Sequence, residues 1–349
     1  MDYKTLHGEG SLAASSRSTL GRNLAESARD LRMVLPSGAL DAIARVENLL
    51  VEVAGRAPEG LVAPALEALT AGGKRLRPIL LVLSARMGEP EWEVLLAASV
   101  AVEILHTATL IHDDVVDKAE SRRGKPTTVT AYGRETAVAT GDYLLAEAFY
   151  GLAEIGNPRL VRVFAEAAMG MSAGELEQYR SSGTPVGVEA YVDHIRMKTA
   201  GLFRAACVAG GTLGGLSLRQ IDALATYGQA LGLAFQVSDD VMDLVGEPGL
   251  MGKSVGTDLA EGTVTLPVIF ALEEGDGVVI RRVLETSNPA PELLEAGIEA
   301  VLATEAIKKT EAWASGKVEA AIEGLELLPD GTERAILEAI ATEVVGRDA

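Results

Sequence analysis

The sequence predicts an all-α fold in a single domain, and three observations carry that prediction. Ala, Leu and Glu, all strong helix formers, dominate the composition, while aromatic residues are only 4% of it. Apolar residues recur at three- and four-residue spacing over most of the chain. Alternating β-branched runs are nearly absent, and no Pro- or Gly-rich linker divides the chain after residue 38. With 349 residues, 48% of them hydrophobic, the chain can bury a large core.

Taken in order, residues 1–37 are rich in Gly, Ser, Arg and Asn without a steady period and read as an N-terminal extension, with a short helix near 22–33. The domain proper spans 38–349. "ALDAIARVENLLVEVA" (39–54) has the helical repeat of apolar residues. "GGKRLRP" (72–78) is a glycine turn that opens a helix. "PEWEVLLAASVAVEILHTATLIHDDVVD" (90–117) is one long helix, apolar on most sides and therefore largely buried. Further helices are expected at 137–155, 158–180, 188–214, 217–246, 261–274, 290–303, 304–324 and 330–346.

The formal net charge is −19, which repels nucleic acid and anionic lipid surfaces. An anionic ligand must then be held by a local basic patch or through a metal. Cys207 is the single cysteine, so an internal disulfide is excluded and a reducing, cytoplasmic setting is expected, with Cys207 as a core residue. No basic segment followed by an apolar one opens the chain, so no secretory signal is expected. The longest uncharged apolar runs, between Arg204 and Arg219 and between Asp222 and Asp239, are too short to span a membrane. A soluble protein is expected.

The chemistry concentrates in a duplicated motif. Residues 113–117 read "DDVVD" and residues 239–243 read "DDVMD", each after a long apolar run. On a helix, Asp113 with Asp117, and Asp239 with Asp243, stack one turn apart, with Asp114 and Asp240 to the side. Like charges at that spacing cost about 0.2–0.5 kcal/mol per pair. The negative helix C-terminus disfavours the first cluster further, since Gly124 and Pro126 stop its helix soon after. A solvated acidic face explains one such cluster but not two of the same form. A divalent cation removes the costs, and an all-oxygen donor set without a His/Cys cage suits Mg²⁺ better than Zn²⁺.

Cations cluster as well. Lys74, Arg75 and Arg77 follow Gly72 and Gly73; Arg122, Arg123 and Lys125 follow the first carboxylates; Lys198 sits in an otherwise apolar helix; Lys253 lies in a loop beyond the second cluster. Such groups contact phosphate oxygens directly while Mg²⁺ bridges others. The supply is enough for two diphosphates, one bound through metal and one by basic residues alone.

With these motifs together the chain resembles the trans-isoprenyl diphosphate synthases, or polyprenyl synthetases. "GGKRLRP", "EILHTATLIHDDVVD…RRGKPT", "GDYLLAEAF", "GELEQ", "MKTAGLF", "AFQVSDDVMDLVG", "GKSVGTDLAEG" and "TLP" occur in the family's order from about 40 to at least 270. The resemblance implies antiparallel helices around a deep apolar cavity, usually in a homodimer, and head-to-tail condensation of isopentenyl diphosphate with an allylic diphosphate. Asp113, Asp114 and Asp117 would hold Mg²⁺ from one wall, and Asp239 with Asp240 and Asp243 from the other. Arg122, Lys198 and Lys253 would hold the allylic diphosphate. Lys74, Arg77, His106 and Arg123 would hold isopentenyl diphosphate, and Thr199 and Gln236 would lie near the allylic cation. Ala108 and Thr109, five and four residues before the first aspartate, help set product length in this family; both are small, so a long-chain product is expected. Leu105, Phe149 and Tyr150 are candidates for a deeper floor. Membrane contact, if any, would be peripheral, for product release. One departure stands out: the family commonly has Lys where "EGTVTLP" has Thr263.

Four rival readings remain open on sequence alone. A short-chain synthase would share every motif. His106 with His112–Asp113 faintly resembles an HD-type phosphohydrolase, but that leaves the second cluster and "GGKRLRP" unexplained. A terpene cyclase shares the fold but generally lacks the isopentenyl-binding cations. A catalytically silent partner subunit is the fourth, against which the intact Asp clusters argue.

Overall fold

A computed structural model describes residues 35–246, 255–275 and 277–345. Among these, all regular structure is helical apart from one two-stranded hairpin. Helix α1 (Ser37–Gly55) lays down the stripe Ala39, Ala42, Ile43, Val46, Leu50 and Val53, whose three- and four-residue steps place one face on the core. Two shorter helices, α2 (Val62–Leu69) and α3 (Leu76–Arg86), lead to the central helix α4 (Trp92–Val116). Fourteen of the 25 residues of α4 are buried, as expected of a helix apolar on most sides. Among the described residues it is the one helix long and apolar enough to cross a membrane, yet 72% of its most apolar window lies inside the bundle. It is the core helix of the fold.

After α4 come the hairpin, β1 (Ser121–Arg122) and β2 (Lys125–Pro126), then α5 (Thr128–Tyr132), α6 (Arg134–Glu154) and α7 (Pro158–Ser181). The sequence reads α6 and α7 as helices, close to where they fall, but reads 121–126 only as a group of cations. Arg123 (φ 53°) and Gly124 (φ 72°) both take positive φ at the turn, the requirement of the tightest hairpins. Arg122 pairs with Lys125 in register, which folds the strand back beside the end of α4.

The single helix expected at 188–214 is instead three pieces: α8 (Val188–Ile195), a π-turn (Arg196–Ala200) and α9 (Gly201–Leu213). Helical periodicity does not register a one-residue insertion that leaves both flanks helical. Two glycines admit the widened turn. A Cβ on Gly174 of α7 would come within 2.9 Å of the Lys198 backbone nitrogen, and one on Gly232 within 2.6 Å of Ala200 Cα. Gly232 belongs to α10 (Leu218–Val245), which begins at a capping box formed by Ser217 and Gln220. The remaining helices are α11 (Thr257–Ala260), α12 (Leu266–Glu274), α13 (Val278–Leu284), α14 (Pro291–Leu302), α15 (Ala306–Gly324) and α16 (Thr332–Val345). The helix expected from 261 starts only at Leu266, where Pro267 fits the first turn. The short α2 and α13 carry too few periods to be read from sequence. The helix expected near 22–33 lies outside the described residues.

Helices α4 and α6 pack along one another, as do α9 with α10, α9 with α3, and α10 with α15. Most buried apolar residues from Leu35 to Val344 join one cluster, and Val208, Ile221 and Ala225 form a small second one.

Candidate active site

Both carboxylate clusters lie near the ends of long helices, and in both the middle aspartate turns inward. Asp114 is 4% exposed and Asp240 3%. Arg122, carried back by the hairpin, donates to Asp114 Oδ1 from Nε at 2.9 Å and from Nη2 at 2.8 Å. Asp240 meets neutral donors instead: the Tyr191 hydroxyl on Oδ2 and Gln236 Nε2 on Oδ1 at 2.9 Å. Burial pushes the Asp240 carboxyl up to about 7 against these two hydrogen bonds, with Asp239 and Asp243 pushing the same way. Burial and the neighbouring Asp240 likewise hold the Tyr191 hydroxyl well above its ordinary range.

The outer aspartates are more accessible. Asp113 is half-buried and Asp117 exposed. Burial first, then Glu175 and Asp117, push Asp113 up to about 7, against Lys198 and Arg122. Asp117 is raised for the same reasons, burial leading. Burial and the crowding of carboxylates thus both work against ionisation at this corner. In the second cluster Asp243 accepts the backbone N–H groups of Thr257 (3.2 Å) and Asp258 (3.1 Å), capping α11.

Between the clusters sits the π-turn, a distortion that frequently marks functional sites. Its Lys198 Nζ donates to Gln178 Oε1 at 2.6 Å and lies 2.5 Å from Glu175 Oε2. Glu175 and Gln178, three residues apart on α7, form the holder. Thr199 donates to Gln236 Oε1 at 2.7 Å, which ties the turn to α10 and so to the second cluster.

The basic cradle forms where α3 begins. Arg75 takes the left-handed conformation (φ 51°) that an L-residue rarely adopts, and it is 7% exposed. Its Nη1 donates to Glu103 at 2.7 Å and its Nη2 to the Leu69 carbonyl at 2.7 Å. Arg75 is therefore an internal strut, and the turn leaves Lys74 and Arg77 on either side of it. Burial lowers Arg77 to about 10, and its guanidinium stacks 4.6 Å over the Phe203 ring. His106 is held well below its ordinary value, by burial first and then by Arg77, Arg123, Arg122 and Arg75. At neutral pH it is an uncharged imidazole amid cations. Arg123 donates to the Gly72 carbonyl, closing the cradle from the hairpin side.

The structure thus brings Lys198, Thr199, Gln236 and Asp240 into one connected patch, and gathers Arg77, His106 and Arg123 into another. Ala108 is fully buried and Thr109 partly so on α4. Leu105 is buried and Phe149 half-buried, while Tyr150 is 63% exposed and walls nothing within its own chain. Lys253 lies outside the described residues. Sequence reasoning gave no role to Glu103, Glu175, Gln178 or Tyr191. Glu175 and Gln178 lie in the "GELEQ" motif and Glu103 opens "EILHTATLIHDDVVD", which was their available signal; Tyr191 had none.

A hard divalent cation fits these donors. The crowded carboxylates of Asp113 and Asp117 beside Glu175 are all oxygen and short of positive charge. Among the described residues no three His, Cys, Asp or Glu side chains form a ready metal cage. Ions of the Mg²⁺ kind usually take one or two carboxylates and complete their shell with water and substrate phosphate.

Residues 59–301 match the family model described as polyprenyl synthetase. The chain is 35% identical to the heptaprenyl diphosphate synthase component 2 of Geobacillus stearothermophilus over 311 residues, 88% of this chain and 96% of that protein. It is 37% identical to the octaprenyl diphosphate synthase of Escherichia coli K12 over 284 residues, 80% of this chain and 88% of that one. Its fold superposes on a decaprenyl diphosphate synthase from Rhodobacter capsulatus with TM-score 0.83 and 33% identity, covering 92% and 99% of the two chains. A polyprenyl synthase from Caulobacter crescentus CB15, complexed with calcium and isoprenyl diphosphate, gives TM-score 0.84 at 32% identity, covering 89% and 96%. This chain belongs to the polyprenyl synthetase family. The family and the named relatives make it an enzyme, a trans-polyprenyl diphosphate synthase.

Proposed function

We propose that this enzyme uses Mg²⁺ to condense isopentenyl diphosphate with an allylic diphosphate, farnesyl or geranylgeranyl diphosphate as primer, and releases a long-chain all-trans polyprenyl diphosphate and diphosphate. The observation that carries the reading is that the site supplies two sets of cations: Lys198 and Arg122 held by carboxylates, and Arg77 and Arg123 grouped around His106. Lys198 and Arg122 serve the carboxylate corner, while Arg77, His106 and Arg123 form a cradle with no outer aspartate of the first cluster in it. One diphosphate goes to each.

Asp113, Asp117 and Asp239 would hold the metal, which when bound neutralises charge growing on the departing diphosphate. Lys198, held by Glu175 and Gln178, and Arg122 offer fixed cations to the same oxygens. As the allylic C–O bond breaks, the oxygens of Thr199 and Gln236 face the cation. Arg77 and Arg123, with the neutral imidazole of His106, keep isopentenyl diphosphate oriented so that its double bond attacks C1 of the allylic group. Loss of a proton from the joined chain restores a double bond, and the departing diphosphate is the acceptor. No other nucleophile is needed, and a dry site prevents hydrolysis of the cation.

For length, Ala108 and Thr109 put no bulk on the product's path. The test incubates the purified enzyme with Mg²⁺, labelled isopentenyl diphosphate and farnesyl diphosphate, and sizes the product by chromatography. Elongated chains are expected; none at all would overturn the function. Ala108→Phe should shorten the product, and an unchanged distribution would sink the length reading.

A homodimer is the assembly proposed with it. Met169 and Leu176, seven residues apart and so on one face of α7, are 67% and 49% exposed, and Tyr150 on α6 is exposed as well. A monomeric mass by light scattering would count against this.

A further inference from the structure

We infer that Tyr191 is a positioning residue for the allylic step, acting through Asp240 to fix the orientation of the Gln236 amide. The inference rests on the prenyl-transfer reading above. The chain of contacts is continuous. The Tyr191 hydroxyl donates to Asp240 Oδ2, Gln236 Nε2 donates to Asp240 Oδ1, and Thr199 Oγ1 donates to Gln236 Oε1. The hydrogen bonds converge on Asp240: Tyr191 reaches it directly, and Thr199 through the Gln236 amide.

An amide can present either end to its surroundings, and the two ends have opposite effects on a cation. With Nε2 captured by Asp240, the oxygen is the end left to face Thr199 and the allylic carbon. Flipped, the same side chain would aim an N–H dipole at a forming carbocation and raise the barrier. The orientation is set by Asp240, and Asp240 is in turn set by Tyr191. Tyr191 is 4% exposed on α8, just before the π-turn that carries Lys198 and Thr199. Both oxygens of Asp240 are thereby engaged and its side chain buried, so it works as an internal acceptor rather than as a metal ligand. The middle aspartate of the second cluster is assigned a task unlike that of its outer neighbours.

Four variants test this: Tyr191→Phe, Asp240→Asn, Gln236→Leu and the Tyr191→Phe/Gln236→Leu double. Each is measured for kcat, for KM of both substrates, for the Mg²⁺ concentration giving half activity, for melting temperature, and for binding of Mg²⁺ with inorganic diphosphate by calorimetry. Tyr191→Phe should lower kcat about tenfold, the rate equivalent of one hydrogen bond to a charged group. KM for isopentenyl diphosphate, the Mg²⁺ requirement and calorimetric binding should stay within about twofold. On the Gln236→Leu background the same change should add nothing, because its route is already cut. Asp240→Asn should also lose kcat while keeping calorimetric binding, which covers the case of a Tyr191→Phe protein too unstable to assay. An unchanged kcat, additive losses in the double variant, or weakened Mg²⁺–diphosphate binding in Asp240→Asn would each overturn the inference. Failure of the function itself would look different: the unaltered enzyme would make no elongated product.

Discussion

The two carboxylate clusters have the same letters and different surroundings. The first ends its helix: α4 stops at Val116, and the Asp117 N–H closes on the Asp113 carbonyl at 2.8 Å. The second lies within the last turns of α10, which runs on to Val245, and its Asp243 caps the next helix. The first ties its middle aspartate to a charged arginine, the second to a phenol and an amide. The difference separates two jobs. In the proposed reaction, the cluster tied to Arg122 and Lys198 would sit among groups that grip phosphate, and the cluster tied to Gln236 and Thr199 beside the dipoles that face a carbocation. Asp113, Asp117 and Asp239 would be the metal-facing carboxylates, while the middle aspartate of each cluster is a local strut tied to the neighbour it orients.

The largest expected effect breaks both sides at once. Asp113→Ala and Asp239→Ala should each lower kcat by roughly 10³-fold, since each removes a ligand for the charge that grows on the leaving group. The comparison predicts a further distinction: in the first cluster the loss should come with a raised KM for the allylic substrate, because Lys198 and Arg122 share that corner. Equal KM values in both variants would remove the division of labour.

Next in size is the strut beneath the basic cradle. Arg75 and Glu103 are both 7% exposed at the side chain and 2.7 Å apart. Glu103→Leu strands a buried guanidinium, a loss of about 3–5 kcal/mol when nothing replaces the partner. Glu47, 3.8 Å from Arg75 and 39% exposed, offers partial compensation. A value near the lower end, about 3 kcal/mol, is therefore expected from urea denaturation. A change below about 1 kcal/mol would show that Arg75 finds water or Glu47 sufficient.

The carboxylate corner also predicts a pH effect. Without divalent ions Asp113 titrates near 7 in the folded chain, raised by burial, Glu175 and Asp117 and opposed by Lys198 and Arg122. An unfolded aspartate titrates near about 3.9. Between those values the folded protein holds more protons than the unfolded one, so stability falls as pH rises. Asp240 contributes in the same direction. Melting temperature in a chelator should drop from pH 5.5 to 7.5, and Mg²⁺ should restore it more at the higher pH. A flat profile in chelator would mean that the corner is already neutralised by its cations.

How much of this was legible in the sequence follows from the physics of each feature. Helices of four or more turns announce themselves by period, and α1, α4, α7 and α10 fall close to their expected spans. The π-turn at Arg196–Ala200 does not, because the flanking periods are intact and only the phase shifts. The Asp residues were found by their repetition, and the cations by their rarity in an acidic chain. Glu103 opens the "EILHTATLIHDDVVD" motif but was given no role, since a lone carboxylate in a buried helix does not name its partner; only the fold brings it to Arg75, 28 residues away. Tyr191 is invisible for the same reason, reaching Asp240 across 49 residues. Conversely, Arg75 stood among the apparent phosphate handles and turned out to hold the loop.

The smallest effect concerns the residue that departs from the family pattern. Thr263 accepts a long hydrogen bond, 3.4 Å, from Gln178 Nε2, while Gln178 Oε1 receives Lys198 at 2.6 Å. Gln178 therefore spans from the first cluster's lysine to the segment just after α11, where the motif resemblance leads one to expect a lysine. Thr263→Lys would set a second ammonium near Gln178, Glu175 and Lys198. Glu175 Oε2 is buried and 2.5 Å from the Lys198 ammonium, so a second ammonium would share that carboxylate. Repulsion from Lys198 and the cost of seating a longer side chain oppose the gain. The balance should be a two- to threefold lower KM for the allylic diphosphate, about 0.5 kcal/mol, the scale of a partly screened ion pair. KM for isopentenyl diphosphate, whose cradle lies at α3, should not move. Should the substitution raise the allylic KM instead, Lys198 alone already fills that role, and Thr263 is the residue that keeps a second cation away from it.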